Sequence, residues 1–191
     1  LAPTVVENCV FPGDFQPGRV EYAYTDVDAN AALSAGDKIV LELVSCTTES
    51  LNGKFSGRME ITLKAAPPLG SFRLGFSATV QVTAFALGDH TLTGTFDINY
   101  ADAEARRLLQ ADVAPPWLSI EIPLVTGTAV VRTGRMTKSI DYSTARYEVA
   151  LTGEFDHPAM LGRFSLATPA PLVGWVRTYP DGGAEEYRSG P

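Results

Sequence analysis

Between residues 54 and 64 apolar and polar side chains take turns: Phe55, Met59, Ile61 and Leu63 fall on one face of an extended chain, and Lys54, Arg58, Glu60 and Lys64 on the other. A period of two marks a strand with one buried and one wetted face. The same signal returns as Leu74, Phe76, Ala78, Val80, Val82, Ala84 and Ala86 against Arg73, Ser77, Thr79, Gln81 and Thr83, and again as Leu92, Phe96, Ile98 and Tyr100. At about 3.3 Å per residue the second of these would run roughly 45 Å, so a bend or bulge is expected within it. Further strands are predicted at 20–25, 38–46, 128–133, 135–142, 145–155, 160–168 and 172–179. In the 38–46 strand Val40 and Val44 lie opposite Ile39, Leu41 and Leu43, which suggests burial on both sides.

Residues 101–112 are the one helix candidate, rich in Ala, Glu, Arg and Leu, with Asp102 as a possible cap. The segment is short for a helix, and the alternative reading, a strand in a hairpin with 116–122 turned at Val113 to Pro116, is preferred. One-sided strands with almost no helix to cover them must roll up or fold over. The fold class is therefore all-β: an antiparallel meander of roughly ten strands forming a barrel or a two-layer sandwich, with little or no helix. Residues 1–18, rich in Pro and Gly, read as an irregular lead-in, and 19–191 as a single all-β domain.

Three copies of Leu-x-Gly-x-Phe, starting at Leu51, Leu92 and Leu151, recur at unequal spacing. They read as equivalent strand starts whose glycines admit a bulge or a close neighbour. That is packing, not chemistry.

Chemistry is suggested in one place, the twelve residues 26–37 between the first two strands. In the register of a calcium loop, Asp26, Asp28 and Asn30 supply oxygens at positions 1, 3 and 5. Ala32 offers its carbonyl at 7, Ser34 stands at 9 and Asp37 closes at 12. Hard cations want six to eight such oxygens, and Ca2+ is the cofactor expected if the loop is occupied. Position 6 is Ala31 rather than glycine, which costs on the order of 1 kcal/mol at positive φ, and strands rather than helices flank the loop. The competing reading is a hairpin loop whose Asp and Asn side chains bond local backbone.

Charge and cysteine usage narrow the setting. A net charge of −7 with scattered Lys and Arg argues against nucleic acid as a partner. No apolar run reaches the length of a membrane helix. A transmembrane barrel is disfavoured by charged residues in nearly every strand and by the lack of aromatic girdles. Cys9 and Cys46, the only two cysteines, suit a structural disulfide in an oxidising compartment. The chain opens at Leu1, as a processed or trimmed protein would.

No reaction stands out. His90 and His157 are too few for a His-based metal site, and Gly75 to Thr79 fails the nucleophile-elbow pattern at its last position. Glu42, Glu60, Glu121 and Glu148 are strand acids that no spacing rule pairs for glycoside hydrolysis. No catalytic residue is assigned.

The run from Tyr22 to Cys46, with D-x-D-x-N-x-x-L-S-x-G-D leading into a strand that ends in Cys, followed by LNGKFSG and LTGTF, resembles a group of uncharacterised β-rich envelope proteins and lipoproteins of proteobacteria. The resemblance covers roughly the first hundred residues and implies an exported protein, periplasmic or anchored at the outer membrane by a lipidated Cys ahead of Leu1. It identifies no ligand. Two functions follow as expectations. The first is a non-enzymatic envelope domain with a structural or binding role, whose partner would be another envelope protein, a glycan or an apolar small molecule. The rival is a carbohydrate-binding module or carbohydrate-active enzyme, which would expose Trp117, Trp175 and Tyr179.

Overall fold

A computed structural model describes residues 4–9, 18–48, 51–71, 74–87, 90–103, 106–121, 128–159, 162–178 and 184–187. These build twelve strands in one antiparallel sheet: β1 (Val5–Cys9), β2 (Gly18–Thr25), β3 (Lys38–Thr48), β4 (Leu51–Leu63), β5 (Gly75–Leu87), β6 (His90–Ala103), β7 (Arg106–Glu121), β8 (Thr128–Asp141), β9 (Arg146–Asp156), β10 (Arg163–Ala167), β11 (Leu172–Thr178) and β12 (Ala184–Tyr187). From β1 to β9 every strand pairs with its neighbours in the chain. The far edge of β9 is shared, with β10 beside residues 152–156 and β11 beside 146–149. Pro169 and Pro171 explain the break, since proline can donate nothing to a ladder. The all-β meander is thus present. Its only helical piece among the described residues is a 3₁₀ turn at Pro68–Gly70.

Several local expectations change. The lead-in is not wholly irregular, because Val5–Cys9 pairs with β2. The 101–112 segment is strand, but the predicted turn at Val113 to Pro116 is not a turn. β7 runs straight through it, and the extra residues bulge out between Asp112↔Arg135 and Leu118↔Val131. A bulge is the one mid-sheet setting that tolerates two prolines. Segments 128–133 and 135–142 join into the single strand β8. β3 is not buried on both sides, as Val44 is 39% exposed and Glu42 faces water.

The register sorts side chains as the alternation requires. Tyr24, Ile39, Ile61, Val80, Phe96 and Val113 form one cross-strand row on the apolar face. Lys38, Thr62, Thr79, Asp97, Asp112 and Arg135 form a row on the other. Leu63, Ala78, Val80 and Val82 are buried in the middle of the apolar face, whereas Phe96, Ile98, Leu109, Met136 and Leu151 are only half-buried. Burial of the apolar face is therefore partial.

A seam of irregular pairing crosses the sheet. Register shifts occur in six successive pairs from β3–β4 to β8–β9. The device repeats. Ser45 (φ 54°) bulges from β3 and its N–H donates to Ser56 Oγ at 2.8 Å. Ala84 (φ 47°) bulges from β5 and donates to Thr93 Oγ1 at 3.1 Å. Each receiving hydroxyl precedes a glycine, Gly57 and Gly94, over which backbone of the strand on the other side closes, β5 and β7 respectively. A Cβ on Gly57 would sit 2.6 Å from Phe85 Cα, and one on Gly94 2.5 Å from Leu118 Cα. Gly153 repeats the role against Thr133 O, 2.8 Å from its would-be Cβ. Bulges bend strands and tighten their twist, so a row of them curls the whole sheet along one line. The expected bend in the long β5 strand is one member of that row.

Candidate metal centre and disulfide

β2 and β3 are joined at one end of the sheet by residues 26–37. At the other end Cys9 and Cys46 form a disulfide. Their Cα atoms are 5.5 Å apart, although strands flanking a common neighbour lie about 9.5 Å apart. The chain closes that gap at Gly18, the first residue of β2, where a side chain would collide with the Ser45 carbonyl. Cys46 is fully buried.

The loop is organised from Asp37. Its side chain is inaccessible to solvent and accepts three hydrogen bonds: Val27 N–H on Oδ1 at 2.9 Å, Tyr24 O–H on Oδ2 at 2.7 Å and Ser34 N–H on Oδ2 at 2.8 Å. Its backbone continues the ladder, with Leu63 N–H donating to Asp37 O at 2.9 Å and Gly36 N–H to Leu63 O at 2.8 Å. Asp26 Oδ2 accepts from Ala31 N–H at 2.7 Å. That bond holds Ala31 at φ 60°, the left-handed conformation glycine would otherwise supply. Asp28 Oδ2 accepts from Asn30 Nδ2 at 2.8 Å and from Ser34 Oγ at 3.0 Å. Asn30 Oδ1 accepts from Ala32 N–H at 2.7 Å, and the Ala32 carbonyl, 3.2 Å from the Tyr24 hydroxyl, shares with Asp37 the one proton that hydroxyl donates.

All six residues singled out in the sequence therefore meet in one network. Within it, one carboxylate oxygen each from Asp26, Asp28 and Asp37 lie within 4.8 Å of one another, a spacing that can hold a metal ion. Three like charges at that distance repel by about 1 kcal/mol per pair even in water. Among the described residues no ion pair neutralises them. The donor set is all oxygen, which suits a hard cation. Asp37 departs from the usual closing residue. Its Oδ2 is filled by two donors, so only Oδ1 retains a lone pair for a ligand. Tyr24 was not legible as part of this site. It sits on the apolar face of β2, and only the turn of the loop brings the buried carboxylate to its hydroxyl.

Of the rival aromatics, Trp117 and Trp175 are 41% and 42% exposed, but they stand on different strands far apart in register; Tyr179 lies outside the described residues. His90 is exposed. His157 is buried, its Nδ1 accepting from Ala159 N–H at 3.1 Å while Nε2 has no partner among the described residues. Glu42, Glu60 and Glu148 are each in ion pairs with a cross-strand or same-strand Arg or Lys. The chain matches no family model, no curated protein and no solved structure at a significant level. No described helix is long and apolar enough to cross a membrane.

Protonation links the loop to stability. The Val27 N–H bond, with those of Tyr24 and Ser34, holds the Asp37 carboxyl below its usual range. Asp156 is lowered by Arg132 and Arg163. Burial alone would raise Asp97 and Asp112, yet bonds from Lys64 and Thr79, and from Arg135 and Gln110, outweigh it and lower both. A carboxyl depressed in the folded state contributes stability that is present above its unfolded value and lost as pH falls through the folded one. Melting temperature should hold steady from pH 7 to about 4 and fall steeply below. Asp37→Asn should be less stable at pH 7 and show a shallower acid limb. The Tyr24 hydroxyl, donating to Asp37, is pushed up to about 12, so its contribution is complete below about pH 10 and fades through 12.

Proposed function

We propose that this chain is a non-enzymatic, exported β domain of a cell envelope, with a structural or binding role, whose β2–β3 loop holds Ca2+. The observation that carries the reading is the convergence of Asp26, Asp28 and Asp37 at one end of β2–β3 while a disulfide staples the other. Asn30, the Ala32 carbonyl and Ser34 complete the ligand set, with Asp37 contributing through Oδ1. A disulfide fits an oxidising compartment, and millimolar calcium is available outside the cytosol to a site of modest affinity. Ion binding would relieve the repulsion among the three carboxylates and fix the longest connection at that end of the sheet.

The test is a calcium titration of melting temperature. With a dissociation constant near 10⁻⁴ M, 5 mM calcium should stabilise the fold by about 2 kcal/mol, a rise of roughly 5 °C for a chain of this size. Asp26→Ala should abolish the rise while leaving the disulfide intact, and magnesium should give much less. An unchanged melting temperature in calcium removes the ion from the proposal.

A further inference from the structure

At the same end of the sheet as the acidic loop, on β7 to β11, is a cleft of about 410 Å³ lined by Arg106, Ser139, Asp141, Thr144, Arg146, Glu148 and Trp175. The register explains how it arises. Arg106, Asp141, Arg146 and Trp175 are direct cross-strand partners on β7, β8, β9 and β11, so they form one row on one face. Ser139 and Glu148 are partners in the row two residues further in. Trp175, 42% exposed, makes one wall of the cleft.

The lining has a definite chemistry. Two guanidinium groups face two carboxylates, so the cleft is charge-balanced and gives no net attraction for an ion. Arg146 and Glu148 are paired at 2.9 Å, which fixes both planar groups. Asp141 Oδ1 accepts from Ser143 N–H at 2.9 Å, Ser143 Oγ at 2.6 Å and Thr144 N–H at 3.3 Å. Those bonds, Ser143's first, hold the Asp141 carboxyl below its usual range. Arg106 has no hydrogen-bond or ion-pair partner among the described residues. A ligand here meets the Trp175 indole together with guanidinium, carboxylate and hydroxyl groups. Too little apolar area is present for an acyl chain. The complement is a molecule with C–H faces and a rim of neutral hydroxyls.

We propose that the Trp175 cleft is a subsite for a neutral sugar ring of a glycan, stacked on the indole and hydrogen-bonded by Arg106, Asp141 and Glu148. This gives the binding role proposed above a ligand class, and it rests on that role but not on the calcium loop.

The experiment is calorimetric titration of the intact chain with neutral hexaoses of β-1,4-glucose, α-1,4-glucose and β-1,4-N-acetylglucosamine, and with an anionic galacturonate hexaose, each to about 5 mM and in calcium or in EDTA. At least one neutral hexaose should bind saturably with a dissociation constant on the order of 10⁻³ M, as weak single-ring sites do. Trp175→Ala should weaken it at least about tenfold and Trp175→Phe much less; Arg106→Ala should weaken it about threefold to tenfold. In a Trp117→Phe background, where Trp175 is the remaining indole, the same titration should shift fluorescence. Lack of saturable binding by all three neutral hexaoses, tighter binding of the galacturonate, or equal binding by folded Trp175→Ala overturns the proposal. Binding that persists in EDTA, beside a flat calcium titration, would sink the loop reading alone.

Discussion

Gly94→Ala is expected to be among the most damaging single substitutions in the chain, with a loss of about 3–5 kcal/mol or outright failure to fold. Two causes act together. Gly94 has φ 147°, where a side chain is strained, and the added Cβ would lie 2.5 Å from both Leu118 Cα and the Trp117 carbonyl oxygen. Neither is the tip of a flexible side chain. Relief would require β7 to back away and give up its pairing across the seam. Gly36 is the control. Its φ of 94° also disfavours alanine, but nothing lies within 4 Å of the would-be Cβ, so Gly36→Ala should cost only about 1–2 kcal/mol. Gly153→Ala should fall between them, since its clash is with a backbone oxygen but its φ is not in the left-handed region. Urea unfolding midpoints of the three variants check the order. A Gly94→Ala protein as stable as Gly36→Ala would mean that the seam is not closely packed.

Removing the disulfide is the second large effect. Cys9→Ser should lower stability by about 4 kcal/mol on the chain-entropy account for a separation of 37 residues, or roughly 8–15 °C in melting temperature. Structure adds to that figure. β1 has five residues and pairs only with β2 among the described strands, and Val5 and Val6 are 39% and 58% exposed. Little besides the covalent link retains it. Hydrogen exchange should show β1 amides losing protection first in the variant, with β4 to β6 nearly unchanged. The measurement is differential scanning calorimetry of Cys9→Ser beside the oxidised parent. A shift of under 3 °C would show that β1 holds without its staple.

Fold class was legible because burial of one sheet face writes itself into every second residue, as in Phe55 to Leu63 and Leu74 to Ala86. The seam was half legible. Thr93-Gly94 and Thr152-Gly153 are two of the three Leu-x-Gly-x-Phe copies, and both glycines lie under a neighbouring strand. The approaching atoms are backbone, so the close neighbour expected at each glycine is the adjacent strand itself. The first copy misleads. In β4 the seam pair is Ser56-Gly57, not Asn52-Gly53, because position along a strand is set by register, which a short motif does not encode. The β7 bulge was hidden for a related reason, since two prolines signal a turn unless one knows that strands continue on both sides. At the acidic loop, spacing alone gathered the six oxygen-bearing positions, whereas the Tyr24 clamp depends on three dimensions. Of the cleft, only Trp175 was singled out in the sequence, as an exposed aromatic; Arg106, Asp141 and Arg146 are scattered along the chain and become its neighbours only through pairing.

Because strands from β1 to β8 pair only with those adjacent in the chain, the molecule never has to wait for its distant end before it can begin to organise. Each new hairpin has a finished edge to dock on, and the entropy of closing long loops is avoided. A polypeptide delivered unfolded, amino terminus first, could lay down this sheet in the order in which it arrives. Kinetically it should behave as a quick folder among all-β proteins of its length, slowed chiefly by oxidation of its two thiols.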